Sequence, residues 1–354
     1  MNIISSCKMG PGTFEAKFIP LSQVKRIEMI TVLRKTKGPQ INKVIYKTLP
    51  RLFSKYGMSI FIAPFLLIKY VKKTNAKLII AYHAMPHVFY AYFASKITGI
   101  PYIFGQTGLN VQYLTEKWFL GRIILHVVKK ATIINVPGLA SKNFWISKGV
   151  DPNKINLLHS TIDTEIFTNT NSKIEYDLIY LGRLSGEKNL ELLLNSLVNL
   201  NNKGCSLKMV VVGDGPERNK LEKFVKSNNL ENNVSFVGFQ FDVNSWLNKA
   251  AIFAMSSWSE GMPTALMQAM ACERICICSK VGNIPDLLIH EENGFLFESY
   301  NLGELTSLLY NVYNNRKEYS QLRKNARLAV INNHSHLSAL KKWETLFSEI
   351  FDNN

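Results

Sequence analysis

The chain has 354 residues, of which 47% are apolar and 19% charged, and a formal net charge of +16. This length exceeds one ordinary core and sets an expectation of two domains. No run reaches the roughly 18–20 unbroken apolar residues of a membrane-spanning helix. Met58–Val71 comes nearest, but it contains Pro64 and Lys69. Met1–Lys8 lacks the layout of a signal peptide, so a cytoplasmic location is expected.

The charge is divided unevenly. Residues 1–170 hold 23 Lys/Arg against 6 Asp/Glu, and residues 171–354 hold 19 against 20. The basic excess therefore belongs to the first half. Such a field attracts anionic lipid or polyanions; a solvated surface in a Lys- and Asn-rich chain is the plainer alternative. No zinc finger, RNP-like strand or helix-turn-helix pattern accompanies the charge, so nucleic acid is not an expected partner. Cys276 and Cys278 point to one face of a short apolar strand, and no His or fourth thiol completes a metal set with Cys272. Cys7, Cys205 and these three read as thiols without a metal.

Strand-like and helix-like runs alternate, as in α/β layers with parallel sheets. In the first half, Ile3–Ser6, Met29–Leu33, Leu78–Tyr82, Tyr102–Phe104 and Thr132–Val136 are predicted strands. Ile41–Tyr56, His87–Thr98 and Lys142–Lys148 are predicted helices. In the second half, strands are predicted over Tyr176–Leu181, Leu207–Val212, Val234–Val237, Ile252–Met255 and Arg274–Ser279. Helices are predicted over Asn189–Leu200, Pro216–Asn228, Val243–Ala250, Thr264–Ala271, Leu302–Asn315, Lys317–Val330 and Leu337–Phe351. The polar stretch Thr164–Ile174 marks the boundary. The expected domains are 1–165 and 166–336, with a closing helix at about 337–354 packing back on the first.

Three junctions carry the chemistry. The strand ending at Leu181 runs into Gly182-Arg183-Leu184-Ser185-Gly186-Glu187-Lys188. This places two cations at the carboxyl end of a parallel strand, where open α/β sheets bind ligands. Arg grips phosphate oxygens in a bidentate manner, and Lys adds a point charge. Val212-Gly213-Asp214-Gly215-Pro216 is a sharp turn into a helix, with Pro suited to the first helical position. Ser256-Ser257-Trp258-Ser259-Glu260-Gly261-Met262-Pro263-Thr264 joins a strand to a helix whose unpaired N–H groups suit an anion. Gln268 follows Thr264 by one helical turn, so both can face one cavity.

This ordered series over about residues 176–300, closed by Gly282-Asn283-Ile284-Pro285-Asp286 and Asn293-Gly294-Phe295-Leu296, resembles retaining GT-B glycosyltransferases of group 1 (family 4-like). The resemblance implies an α/β GT-B fold of two Rossmann-like domains facing a central cleft. It implies transfer of a hexosyl or N-acetylhexosaminyl group from a nucleotide-diphospho-sugar to a hydroxyl of a glycan or polyprenyl-diphosphate-linked acceptor, in surface-polysaccharide assembly. No cofactor or metal is expected, because Arg183 and Lys188 would hold the donor diphosphate. Glu260 would act near the anomeric carbon, with backbone donors from Gly261, Met262, Pro263 and Thr264. Gln268, standing where the family has a second carboxylate, would hold the ribose. Gly238 would border the base, and Gly12 in Lys8–Glu15 would lie over the phosphate.

The first half departs further from the family. Thr107 stands where many relatives carry a His just before a Gly. His83 and His87 lie at the end of the preceding strand, and His83 is a candidate catalytic group with a structural histidine as the alternative. The run Tyr56–Val71, flanked by lysines, reads either as a membrane-contacting helix or as core. The rival functions are a non-catalytic GT-B subunit, favoured by Gln268 and Thr107, and a sugar-nucleotide epimerase.

Overall fold

The computed structural model describes residues 1–49, 59–107 and 110–352. The chain forms two compact units. One is Met1–Thr161 together with the closing segment from His336; the other is Ile162–Ser335.

In the first unit, seven parallel strands lie in the order β3-β2-β1-β4-β5-β6-β7. They are β1 Asn2–Ser6, β2 Met29–Arg34, β3 Val44–Thr48, β4 Ala76–Tyr82, β5 Tyr102–Gly105, β6 Ile133–Val136 and β7 Ile155–Leu157. The central strand β4 reads as a nearly continuous apolar run because helices cover both faces. Its side chains alternate between two cores. Leu78, Ile80 and Tyr82 join α1 (Pro11–Gln23) and α13 (His336–Phe351) through Phe14, Phe18, Trp343 and Phe347. Ile79 and Ala81 join the opposite layer of α2 (Ser59–Thr74), α3 (Phe89–Thr98), α5 (Trp118–Lys129) and α6 (Leu139–Ser147). The short helix α4 spans Asn110–Thr115.

Two expectations are corrected here. Ile41–Tyr56 is not a helix: Val44–Thr48 is an edge strand paired in parallel with β2, and residues 50–56 lie outside the described residues. The β-branched Val44 and Ile45 and the aromatic Tyr46 suit a half-buried pleat better than a helix face. The helix expected from His87 begins at Phe89, because residues 84–88 form a π-turn. The helix expected over Tyr56–Val71 runs from Ser59 to Thr74, and residues 56–58 fall outside the described residues. Ala63, Leu67 and Val71 bury one of its faces in the core.

In the second unit, six parallel strands lie in the order β10-β9-β8-β11-β12-β13. They are β8 Tyr176–Leu181, β9 Met209–Val212, β10 Val234–Gly238, β11 Ala250–Met255, β12 Ile275–Ser279 and β13 Phe295–Phe297. Helices α7 (Leu190–Asn202), α8 (Arg218–Ser227) and α11 (Leu302–Asn314) flank one face. Helices α9 (Val243–Asn248), α10 (Thr264–Ala271) and α12 (Ser320–His334) flank the other. Cys272, Cys276 and Cys278 are buried there as free thiols.

Both sheets share one topology, in which the chain starts centrally, moves to one edge, then returns and builds the other side. This is the doubly wound Rossmann arrangement, whose ligand crevice opens beyond the carboxyl ends of the strands flanking the reversal. The reversal lies between β1 and β4 in the first unit and between β8 and β11 in the second.

Candidate functional site

At the reversal of the second sheet, β8 leaves through Gly182 and β11 leaves through Ser256. The turns are tied together by backbone. Gly182 N–H donates to Val212 O at 3.0 Å, Gly213 N–H to Gly238 O at 2.8 Å, and Leu184 N–H to Asp214 O at 3.0 Å. Gly213 has φ +139°, and a Cβ there would stand 1.9 Å from Gly182 O. The Gly213–Pro216 turn is therefore architectural: it holds the Arg183 loop in place through contacts that only glycine permits.

Lys188 and Glu260 meet across this crevice. Lys188 Nζ lies 2.7 Å from Glu260 Oε1, and Ser257 Oγ donates to the same oxygen at 2.7 Å. Glu260 is 7% exposed and Lys188 21%. The two loops are also joined by Trp258 N–H to Glu187 O at 3.0 Å and by Ser256 Oγ to Asn189 O at 2.8 Å. Glu187 itself turns to Ser185, whose hydroxyl donates at 2.6 Å and holds its carboxyl below the usual range. Behind Glu260, Gly282 adopts φ +57°, and a Cβ there would stand 1.7 Å from Glu260 O. Asn283 N–H donates to Gly261 O at 3.2 Å. The Gly282–Asp286 segment thus backs the Glu260 loop.

Helix α10 starts at Thr264 with Pro263 as its N-cap, and no side chain caps it. Glu260 pairs with Lys188 and Ser257 and does not cap that helix. Thr264 is exposed and Gln268 half-buried one turn on, while Leu266, Met267 and Met270 face the core. Met262 is half-buried against the same core. Arg183 is exposed and has no ion-pair partner among the described residues; its backbone carbonyl accepts from Tyr180 OH at 2.9 Å. Gly238, with φ +70°, ends β10, and the exposed Phe239 and Phe241 follow it edge to face.

The reversal of the first sheet is bridged as well. Ser6 Oγ and His87 Nδ1 share a hydrogen bond of 2.7 Å between the loops after β1 and β4. Burial pushes His87 down to about 3, with neighbouring His83 and Lys8 adding to the shift. His83, with φ +75°, has its Nδ1 buried without a hydrogen-bond partner, and burial lowers its pKa too. A cavity of about 630 Å³ opens beside these loops, lined among others by Lys8, Arg34, Lys35 and His87. Gly10 and Gly12 stand at the start of α1, where a Cβ would meet nothing within 4 Å.

Residues 162–329 match the family of glycosyl transferases group 1. That match lies within the second unit. The chain is 23% identical over 292 residues to the N-acetyl-alpha-D-glucosaminyl L-malate synthase of Bacillus anthracis, covering 79% of this chain and 76% of that protein. It is 30% identical over 165 residues to the N-acetylgalactosamine-N,N'-diacetylbacillosaminyl-diphospho-undecaprenol 4-alpha-N-acetylgalactosaminyltransferase of Campylobacter jejuni, covering 44% of this chain and 42% of that protein. Its fold is that of HepE from Anabaena, solved in complex with UDP. The TM-score is 0.81 at 16% identity, covering 98% of this chain and 99% of that one.

The second unit carries Arg183, Lys188, Glu260, Gly261, Met262, Pro263, Thr264 and Gln268 on the loops and helix that follow β8 and β11. Gly238 lies at the end of β10. His83 and Gly12 belong to the first unit and are described there alone. Sequence reasoning missed two partners. Ser257, three residues before Glu260, shares the carboxylate. Arg34 ends β2 inside the basic run Arg34-Lys35-Thr36-Lys37, a charge cluster at a strand's carboxyl end that was legible as a signal.

Proposed function

We propose that the enzyme transfers a sugar, with retention of anomeric configuration, from a nucleotide-diphospho-sugar to a hydroxyl of an acceptor that is a glycan or is lipid-linked. The Lys188–Glu260 pair at the sheet reversal carries this reading. It places a cation and a carboxylate beside a second free cation, Arg183, and an uncapped helix end. An ammonium offers three donors, and Glu260 uses one of them. Lys188 therefore keeps hydrogen-bonding capacity for a diphosphate while its neighbour stays paired.

In this mechanism Arg183, Lys188 and the amino end of α10 stabilise the charge that develops on the departing diphosphate. These fixed cations supply the neutralisation that a divalent ion gives in other enzymes. Glu260, held by Lys188 and Ser257, presents its carboxylate toward the anomeric carbon as positive charge builds there. The Gln268 carboxamide oxygen accepts from a ribose hydroxyl. Gly238 and the Phe239 backbone border the base, and Gly12 leaves room over the phosphate. His83 is a candidate acceptor-side group. The acceptor hydroxyl attacks on the face the diphosphate leaves, and the leaving phosphate takes its proton.

The acceptor reading draws on relatives. The Campylobacter protein is named for a diphospho-undecaprenol-linked substrate. From an acceptor of that kind we infer that the enzyme works at the cytoplasmic face of a membrane. The helical layer of the first unit suits that position. Phe65, Phe93, Trp118 and Phe119 project outward from α2, α3 and α5, with Trp118 80% exposed. Residues 59–150 hold eleven Lys/Arg and one acidic residue, Glu116. Exposed aromatics among cations suit an anionic lipid surface.

The reading is tested by incubating the protein with a panel of UDP- and GDP-sugars and polyprenyl-diphosphate-linked acceptors. Product with the anomeric configuration of the donor, read by NMR, is the expected outcome. Inverted product would overturn the retaining mechanism.

A further inference from the structure

We propose that the cavity in the first unit is a phosphate site that receives a phosphate or diphosphate group carried by the acceptor. The proposal rests on the glycosyltransferase reading above, which supplies the acceptor. The cavity, about 630 Å³, lies beside the loops that follow β1, β2 and β4. Lys8, Arg34 and Lys35 line it, and no carboxylate is among its described lining residues.

Arg34 is the central group. Its Nη2 donates to Met9 O at 2.9 Å, and its guanidinium sits 5.1 Å from the Phe14 ring centroid. Those contacts fix the plane of the fork. Its Nη1 is buried and has no hydrogen-bond partner. That nitrogen packs beside Gly38 and Tyr46, neither of which lines the cavity, so the donors that face a ligand there are the remaining ones of the fork. A guanidinium at the cavity wall offers a planar fork of donors to a phosphate. Lys8 and Lys35, both exposed, supply two mobile charges. His87, held neutral by its burial, keeps a ring at the wall without charging it near neutral pH.

The remaining wall is apolar. Leu33, Leu49 and Ala63 contribute to it, which suits the first carbons of a phosphate ester. The phosphate group has two possible sources: a lipid-linked diphosphate, whose alkyl chain would use that wall, and a water-soluble phosphate, which would not.

Calorimetric titration of the full chain with inorganic pyrophosphate and with geranyl diphosphate tests the proposal. Saturating UDP is present to fill the anion site of the second unit. Both probes are expected to bind. Both should weaken at least tenfold in the variant Lys8→Ala/Lys35→Ala. Arg34→Lys, which keeps the charge but removes the fork, should weaken both without unfolding the protein. Tighter binding of geranyl diphosphate than of pyrophosphate supports the site with a lipid-linked source. Equal binding supports it with a soluble source. Failure of both probes to bind, or binding unaltered by the lysine substitutions, overturns the site. Failure of UDP alone to bind overturns the donor reading and leaves this one standing.

Discussion

Lys188 and Glu260 form an ion pair of 2.7 Å that joins the loops after β8 and β11, two strands that flank the reversal of the second sheet. The pair is 72 residues apart in sequence. It exists because a Rossmann sheet sends consecutive halves of its chain to either side of the first strand, so the loops after the first and fourth strands become neighbours. Ser6 and His87 repeat the arrangement in the first unit, 81 residues apart, with a hydrogen bond in place of an ion pair.

Removing Lys188 leaves a carboxylate that is 7% exposed with, among the described residues, the Ser257 hydroxyl as its remaining hydrogen-bond partner. Breaking a fully buried pair costs roughly 3–5 kcal/mol. Lys188 keeps some solvent, so Lys188→Met should destabilise the second unit by about 2–3 kcal/mol. Urea unfolding followed by Trp fluorescence reads this. The double variant Lys188→Met/Glu260→Gln should recover most of the loss, because the unpaired charge is gone. Equal loss in both variants would show that packing of the lysine stem, and not the pair, holds the loops.

Gln268 offers a neutral acceptor on α10. A hydrogen bond to a charged group contributes about 1.5–3 kcal/mol, against about 0.5–1.5 for a neutral one. Gln268→Glu should therefore tighten UDP binding roughly five- to tenfold in calorimetry. Weakened binding would mean that the carboxamide nitrogen is the group in use, or that Gln268 faces no ribose.

The acid stability of the first unit should depend on His87. Its folded pKa of about 3 lies below the ordinary 6.5. Between those values the unfolded chain binds a proton that the folded chain refuses, so stability falls as pH drops from 6.5 toward 3. Above 6.5 the histidine contributes no slope. Denaturant midpoints at pH 7.5, 6 and 5 should fall less steeply in His87→Asn than in the parent. Parallel curves would show that other groups set the acid limb.

Much of this was legible in the sequence, for physical reasons. The strands of the second unit are short apolar runs, glycine closes β8, β9 and β10, and the Arg183 and Glu260 motifs follow the ends of β8 and β11. Local pattern and fold agree there. The first unit was harder. Val44–Thr48 follows Ile41 with spacing that also fits a helix, and only pairing with β2 decides for a strand. Trp118–Lys129 carries a clear helical pattern, with Ile124 and Val128 buried and Trp118 and Phe119 exposed, and was not read as a helix. The Ser6–His87 and Ser257–Glu260 contacts were not visible, because partners across a loop are set by tertiary placement. Arg34 was visible as a cation after a strand, but its unpaired nitrogen was not.

The central claim is that fixed cations of the second unit hold the donor's diphosphate. Titration of UDP into the parent and Arg183→Ala proteins, with EDTA present, tests it most directly. Loss of charge-assisted hydrogen bonds worth about 1.5–3 kcal/mol should weaken binding roughly 10- to 100-fold. Undiminished affinity in Arg183→Ala, or binding by the parent that requires a divalent ion, would contradict the account.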